Sequence, residues 1–183
     1  MINHRGTQTI ETERLILRKI EMSDAEEMYN NWANDPEVPK FMRWQAHESV
    51  EVTKKIIKEW LNGYNSLKTY HWGIVLKDGN ILIGNLSAIN MNEDDMRCEA
   101  GYCIGRKWWN NGYTSEALRA VIEYMINGVG FNRVEAYHSV KNPASGKVMA
   151  KAGMRKEGSA RQYYNAGNKL QDSAFYGIIR EDL

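Results

Sequence analysis

Apolar and polar positions alternate, cluster and switch period along the chain in a way that predicts seven strands and four helices. Thr12 to Ile20 (TERLILRKI) is a short β-branched and aliphatic run that predicts a first strand. Ser23 and Asp24 offer an N-cap, and Ala25, Met28, Tyr29 and Trp32 fall on one face of a helix running to about Ala33. Asn34-Asp35-Pro36 ends it, since the residue before proline is pushed out of helical geometry. The connector from Val38 to Gln45 carries Phe41, Met42 and Trp44; this reads as a plug at the core edge ahead of a cleft lining. Glu48 to Leu61 predicts a second helix, apolar at Val50, Ile57, Trp60 and Leu61, with Lys54, Lys55 and Lys58 solvated.

Tyr70–Leu76 and Ile81–Ala88 predict two strands joined by Lys77-Asp78-Gly79-Asn80, where Asp-Gly signals a hairpin. A polar turn follows, then a strand from Arg97 to Ile104. Leu118, Val121, Ile122 and Met125 mark the buried face of a third helix, with Thr114 as its N-cap and an end near Asn127-Gly128. Arg133–Val140 predicts a strand, and strand–helix–strand implies a right-handed crossover with local parallel pairing. Lys141 to Ser145 opens a short helix to Lys151, stopped by Gly153; strands near Gly158–Tyr164 and Leu170–Ile179 close the chain. With no repeat or linker, residues 1–183 read as a single α/β domain (α+β in some schemes) around a mixed sheet.

Composition narrows the function classes. The chain has 183 residues and a net charge of +1, so no global basic field argues for nucleic acid. No apolar run approaches the roughly 20 residues needed to span a bilayer, and the N-terminus lacks a secretory core. The expectation is a cytoplasmic protein with no nucleic-acid or membrane partner. Cys98 and Cys103 sit on opposite faces of one predicted strand, too far apart to bridge, and the four histidines show no metal-ligand spacing with them, so no metal is expected.

The chemistry concentrates at EAGYCIGRKWWNNGYTSEALRAVIEYM, from Glu99 to Met125. A strand feeding a glycine-containing turn and a helix leaves first-turn N–H groups unpartnered at the positive end of the helix dipole, a cradle for a phosphate. Many such turns bind nothing. A nucleotide-binding P-loop is disfavoured, because no Gly-Lys-Ser/Thr follows.

The segment WWNNGYTSEAL resembles the pyrophosphate loop of the GCN5-related N-acetyltransferase superfamily, particularly the branch of ribosomal-protein-alanine and -serine N-acetyltransferases, which typically has Trp-Gly-Lys-Gly-Tyr-Ala-Thr-Glu-Ala here. Trp109, Gly112, Tyr113, Glu116 and Ala117 match, while Asn110 replaces a glycine. Asn142-Pro143-Ala144-Ser145 and Gly153 to Gly158 resemble the family's second signature, with Met154 in place of its aromatic, and Glu-Thr-Glu-Arg-Leu-Ile-Leu-Arg resembles the branch's first strand. The resemblance covers nearly the whole chain. It implies a mostly antiparallel, twisted sheet of about six to seven strands, splayed in the middle and flanked by about four helices.

It also implies acetyl-CoA as co-substrate: diphosphate on Trp109, Asn110, Asn111, Gly112, Tyr113 and Thr114, pantetheine along Tyr102, Cys103 and Ile104, and further contacts from Asn142 and Ser145. In such relatives the acceptor attacks directly, and a strand-edge amide within Tyr102–Ile104 takes the oxyanion. Glu99 is then the candidate base, against the reading of a surface glutamate, and Ser145 either protonates or hydrogen-bonds the leaving sulfur. Tyr137 and His138 are reserves; by alternation only one faces the cleft. Tyr163 and Tyr164 border the acceptor site, where part of the branch has an acidic residue. The expected acceptor is a primary amine, either a protein N-terminus or a small molecule such as a polyamine or aminoglycoside-like drug. A non-catalytic acyl-CoA-binding module is the alternative of another class, and a homodimer is a family-level expectation.

Overall fold

A computed structural model describes all residues, 1–183. Eight strands form one mixed sheet: β1 (Ile10–Glu11), β2 (Leu15–Arg18), β3 (Tyr70–Leu76), β4 (Ile81–Asn92), β5 (Arg97–Ile104), β6 (Arg133–Ser139), β7 (Arg155–Ala166) and β8 (Lys169–Ile179). Their order is β1-β2-β3-β4-β5-β6-β8-β7, antiparallel throughout except for β5 against β6. The helices are α1 (Ala25–Met28), α2 (Val50–Gly63), α3 (Tyr113–Glu123) and α4 (Pro143–Lys151).

The eighth strand, β1, lies just before the segment read as one strand over 12–20, which is a strand only over Leu15–Arg18. Thr12 turns the chain there: its N–H donates to Leu15 O at 3.0 Å, and its hydroxyl oxygen accepts from Leu15 N at 3.0 Å. The residues before the turn fold back along β2 as β1. The Asp-Gly hairpin forms as expected, with Gly79 at φ 78° and Asn80 at φ 51°. The third helix differs at both ends. It continues through a wider turn over Tyr124–Val129 and stops at Gly130, whose φ of 106° suits glycine better than Gly128's position does. It begins at Tyr113 rather than after Thr114, because Gly112 at φ 80° swings the chain into the helix early.

Two cores sandwich the sheet. Leu15, Leu17, Trp72, Ile74, Leu118 and Phe131 are fully buried on the α3/α4 face; Ile20, Trp32, Ile57, Val75 and Leu82 fill the α1/α2 face. Cys98 belongs to the first core and Cys103 to the second, as strand alternation requires.

The feature that positions the site is a fork. Strands β5 and β6 pair only through Arg97–Arg133, Cys98–Val134 and Glu99–Glu135. Beyond them β5 stays on β4 up to the Gly84–Ile104 pair, while β6 stays on β8. Gly84 permits the close crossing on the β4 side, since a Cβ there would stand 2.3 Å from Cys103 O. Past Glu99, one edge of β5 therefore faces a gap in the sheet.

Candidate active site

The fork opens into a cleft of about 830 Å³ that passes through the sheet, so both of its faces contribute walls. Gly105 N donates to Ile83 O at 2.8 Å. Counting back by alternation, Cys103 and Gly101 direct their backbone groups to β4, and Tyr102 and Ile104 direct theirs into the gap. Of the three strand residues expected to offer backbone to a ligand, Tyr102 and Ile104 have backbone groups aimed into the gap. Cys103 is committed elsewhere: its Sγ donates to Asn85 Oδ1 at 2.7 Å, and burial pushes the thiol up to about 12.

At the end of β5 the chain enters the loop and α3. Trp109 is 41% exposed, and its indole N–H donates to Ile104 O at 2.9 Å, which fixes the loop to the strand end. Asn110 sits at φ 64° and Gly112 at φ 80°. None of the backbone N–H groups from Asn110 to Ser115 donates to a protein acceptor; the first bond is Glu116 N to Gly112 O at 3.1 Å. No side chain caps α3, Thr114 included. The result is a run of unpartnered donors at a helix start.

A carboxylate in that first turn would oppose an anion, and Glu116 is there. Arg14 neutralises it: its Nε donates to Glu116 Oε2 at 2.7 Å and its N–H to Oε1 at 2.9 Å, while the Thr12 hydroxyl donates at 2.6 Å. Burial alone would raise the Glu116 pKa; these donors outweigh it and hold the carboxyl below its usual range. Arg14 also donates to Asn111 O at 3.0 Å and lies 4.6 Å from the Tyr113 ring centroid. No sequence pattern signals this role, because the two residues lie about a hundred positions apart and become neighbours only in the fold.

Across the gap, α4 starts at Asn142, which makes no side-chain cap. Ser145, in its first turn, meets Tyr102: the phenol oxygen is 2.9 Å from Ser145 Oγ and donates to Ser145 O at 3.1 Å. Burial drives the Tyr102 pKa well above its ordinary value, so the phenol stays protonated. Tyr102 was expected to contribute backbone only; its side chain bridges the fork.

The α1/α2 face holds Glu99, at the last β5–β6 pair. Its one hydrogen-bonding partner is Asn90, whose Nδ2 donates to Oε2 at 3.0 Å. Burial, with the Glu135 carboxylate adding to it, raises the Glu99 pKa. The connector predicted mainly as a core plug does both jobs: Met42 and Trp44 pack on the second core, and Phe41, Met42, Arg43 and Trp44 line the cleft. Tyr164 donates to Phe41 O at 2.8 Å and ties that wall to β7, whereas Tyr163 points away, half exposed, against Phe175. Tyr137 and His138 both border the cleft, contrary to the expectation of one, because the cleft has two faces. His138 Nδ1 donates to Ser139 O at 2.7 Å, leaving Nε2 buried without a partner. His71, given no site role from the sequence, lies in the cleft wall tilted against Trp60 with ring centroids 4.0 Å apart, and burial lowers its pKa to about 4.

Residues 14–155 match the acetyltransferase (GNAT) domain family. An uncharacterized N-acetyltransferase, YoaA of Bacillus subtilis (strain 168), is 33% identical over 93% of this chain and 96% of its own length. A [ribosomal protein uS5]-alanine N-acetyltransferase of Escherichia coli (strain K12) is 30% identical over 62% of this chain and 59% of its own length. A solved acetyltransferase (GNAT family) from Bacillus anthracis superposes with a TM-score of 0.83 at 28% identity, covering 95% of this chain and 99% of that one. No helix here is long and apolar enough to cross a membrane.

Proposed function

The chain belongs to the GNAT acetyltransferase family of acetyl-CoA-dependent N-acetyltransferases, and on that premise we propose that its cleft joins acetyl-CoA and a small primary amine in a ternary complex, the amine attacking the thioester directly. The whole chain acts as one catalytic domain, in the cytoplasm where acetyl-CoA is available. The observation that carries this reading is the run of free amides from Asn110 to Ser115 beside the open edge of β5. A diphosphate satisfies those amides, and an extended, peptide-like pantetheine pairs with the backbone of Tyr102 and Ile104 as an added strand would.

Acetyl-CoA brings the electrophilic carbonyl and the thiolate leaving group. The Ile104 or Tyr102 N–H, aimed into the gap, meets the negative charge that develops on the carbonyl oxygen. Glu99, with its pKa raised by burial, accepts the proton of the incoming ammonium, directly or through one water. The Ser145 hydroxyl, held 2.9 Å from the Tyr102 phenol oxygen, protonates or hydrogen-bonds the departing sulfur. Asn142 steadies the pantetheine at the opposite wall.

The tie between Tyr164 and Phe41 narrows the acceptor side and favours a small amine. The uS5-alanine relative supports the second reading, a protein N-terminus. CoA thiol release, measured with a panel of amines and N-terminal peptides, tests both. Acceptor-dependent release is the expected result; tight acetyl-CoA binding with no release for any acceptor would replace the enzyme with a binding module.

A further inference from the structure

The acceptor half of the cleft carries two opposite charges that the fold leaves unpaired. Glu99 has only the Asn90 amide. Arg43 has only the Tyr137 hydroxyl, to which its Nη2 donates at 3.4 Å, and lies 5.4 Å from the Tyr164 ring centroid. The two charges are near enough to feel each other yet form no ion pair. The other charged groups of the cleft are differently placed: Lys68 is bound to Glu93, and Glu59 is exposed on α2. Phe41, Met42, Trp44, Tyr137 and Tyr164 line the same cleft, and Arg43 touches the last two.

Resting on the acetyl-transfer reading, we propose that the acceptor is a free α-amino acid with an apolar or aromatic side chain, its ammonium at Glu99 and its carboxylate at Arg43. An ammonium at Glu99 lies next to the open β5 edge, where the thioester must be. The neighbouring cation then selects a carboxylate on the adjacent carbon, because a planar guanidinium and a carboxylate meet through two parallel hydrogen bonds. A polyamine fits less well: its second ammonium would approach Arg43. The side chain fills the aromatic walls. The step itself is plain acyl transfer: the neutral nitrogen forms the amide bond, the carbon–sulfur bond breaks, and the proton lost by nitrogen balances the one gained by the thiolate.

The test compares L-phenylalanine, L-phenylalaninamide, phenethylamine and spermidine by CoA thiol release at saturating acetyl-CoA. L-Phenylalanine is expected to exceed each of the others at least tenfold in kcat/KM. The amide has the less basic amine, so a preference set by free-amine concentration would run the other way. Arg43→Met is expected to raise the KM for phenylalanine at least tenfold, and Arg43→Lys to retain part of the preference. Equal or better use of the amide, of phenethylamine or of spermidine overturns the inference, as does a preference that survives Arg43→Met. So does turnover confined to peptides. Those outcomes leave acetyl transfer standing; it fails only when no amine or peptide at all releases thiol.

Discussion

Replacing Gly112 by alanine asks one residue whether the loop amides hold the diphosphate. A Cβ at this position meets only Arg14 Nη2, at 3.5 Å, so the fold has room for it. The cost lies in the backbone: at φ 80° a non-glycine residue is worse off by about 1–2 kcal/mol. The chain has two ways to respond. It can hold the left-handed conformation and lose that much stability, or relax to negative φ and rotate the flanking peptide planes, turning amides of the 110–115 run away from a common point. A hydrogen bond to a charged group contributes about 1.5–3 kcal/mol, and about 1.4 kcal/mol is a factor of ten in affinity. Withdrawal of one amide therefore weakens CoA binding by roughly ten- to a hundredfold. Titration calorimetry with CoA measures this, alongside thermal unfolding to establish that the variant is folded. Gly158→Ala is the control, since a Cβ there has nothing within 4 Å. A folded Gly112→Ala protein that keeps the parent's unfolding temperature, and so has relaxed its backbone, yet binds CoA within twofold of the parent refutes the cradle.

Glu99→Gln is expected to slow turnover most at low pH, where the amine is protonated and most needs a base; an unchanged pH–rate profile removes Glu99 from that role. Because the Glu99 pKa is raised in the folded chain, its protonated form is the one the fold favours, and its contribution to stability falls as pH rises through that pKa. The same variant should then raise the unfolding temperature at pH 8 and leave it unchanged at pH 4, as differential scanning calorimetry would register. Arg14→Ala should weaken CoA binding about tenfold by exposing an unneutralised Glu116 beside the diphosphate, and adding Glu116→Gln should recover most of the loss; a double variant as weak as the single one contradicts the electrostatic account. Cys98 and Cys103, both buried with thiols pushed up to about 12, should resist iodoacetamide at pH 8 until urea unfolds the chain, which mass spectrometry can follow.

What the sequence disclosed was whatever is set by short-range periodicity. The alternation in β3 to β6, the Asp-Gly turn and the helical spacing of Leu118, Val121 and Ile122 are local, and each element forms within a few residues of its expected limits. The positions of Asn110 and Gly112 were also readable, because their backbone demands are carried by residue type. The two-residue strand β1 escaped, since a hydroxyl turn at Thr12 resembles any other threonine in an extended run. So did the pairing of Arg14 with Glu116, the reach of Tyr102 to Ser145 and the seating of Arg43 near Glu99. Each joins elements distant in sequence, and no periodicity records which side chains a sheet order brings face to face. The cleft's passage through both faces likewise follows from where β5 and β6 stop pairing, a matter of register across a long crossover.

The three-pair ladder between β5 and β6 makes the sheet, in mechanical terms, two panels with a short seam. Strands β1 to β5 are stitched along their lengths, as are β6 to β8, yet few main-chain bonds run from one set to the other. A molecule that lies in the fork and bonds to both sides supplies the missing stitches. Breathing of the panels should subside as it loads, and amides flanking the fork should gain hydrogen-exchange protection in proportion to its concentration over its dissociation constant.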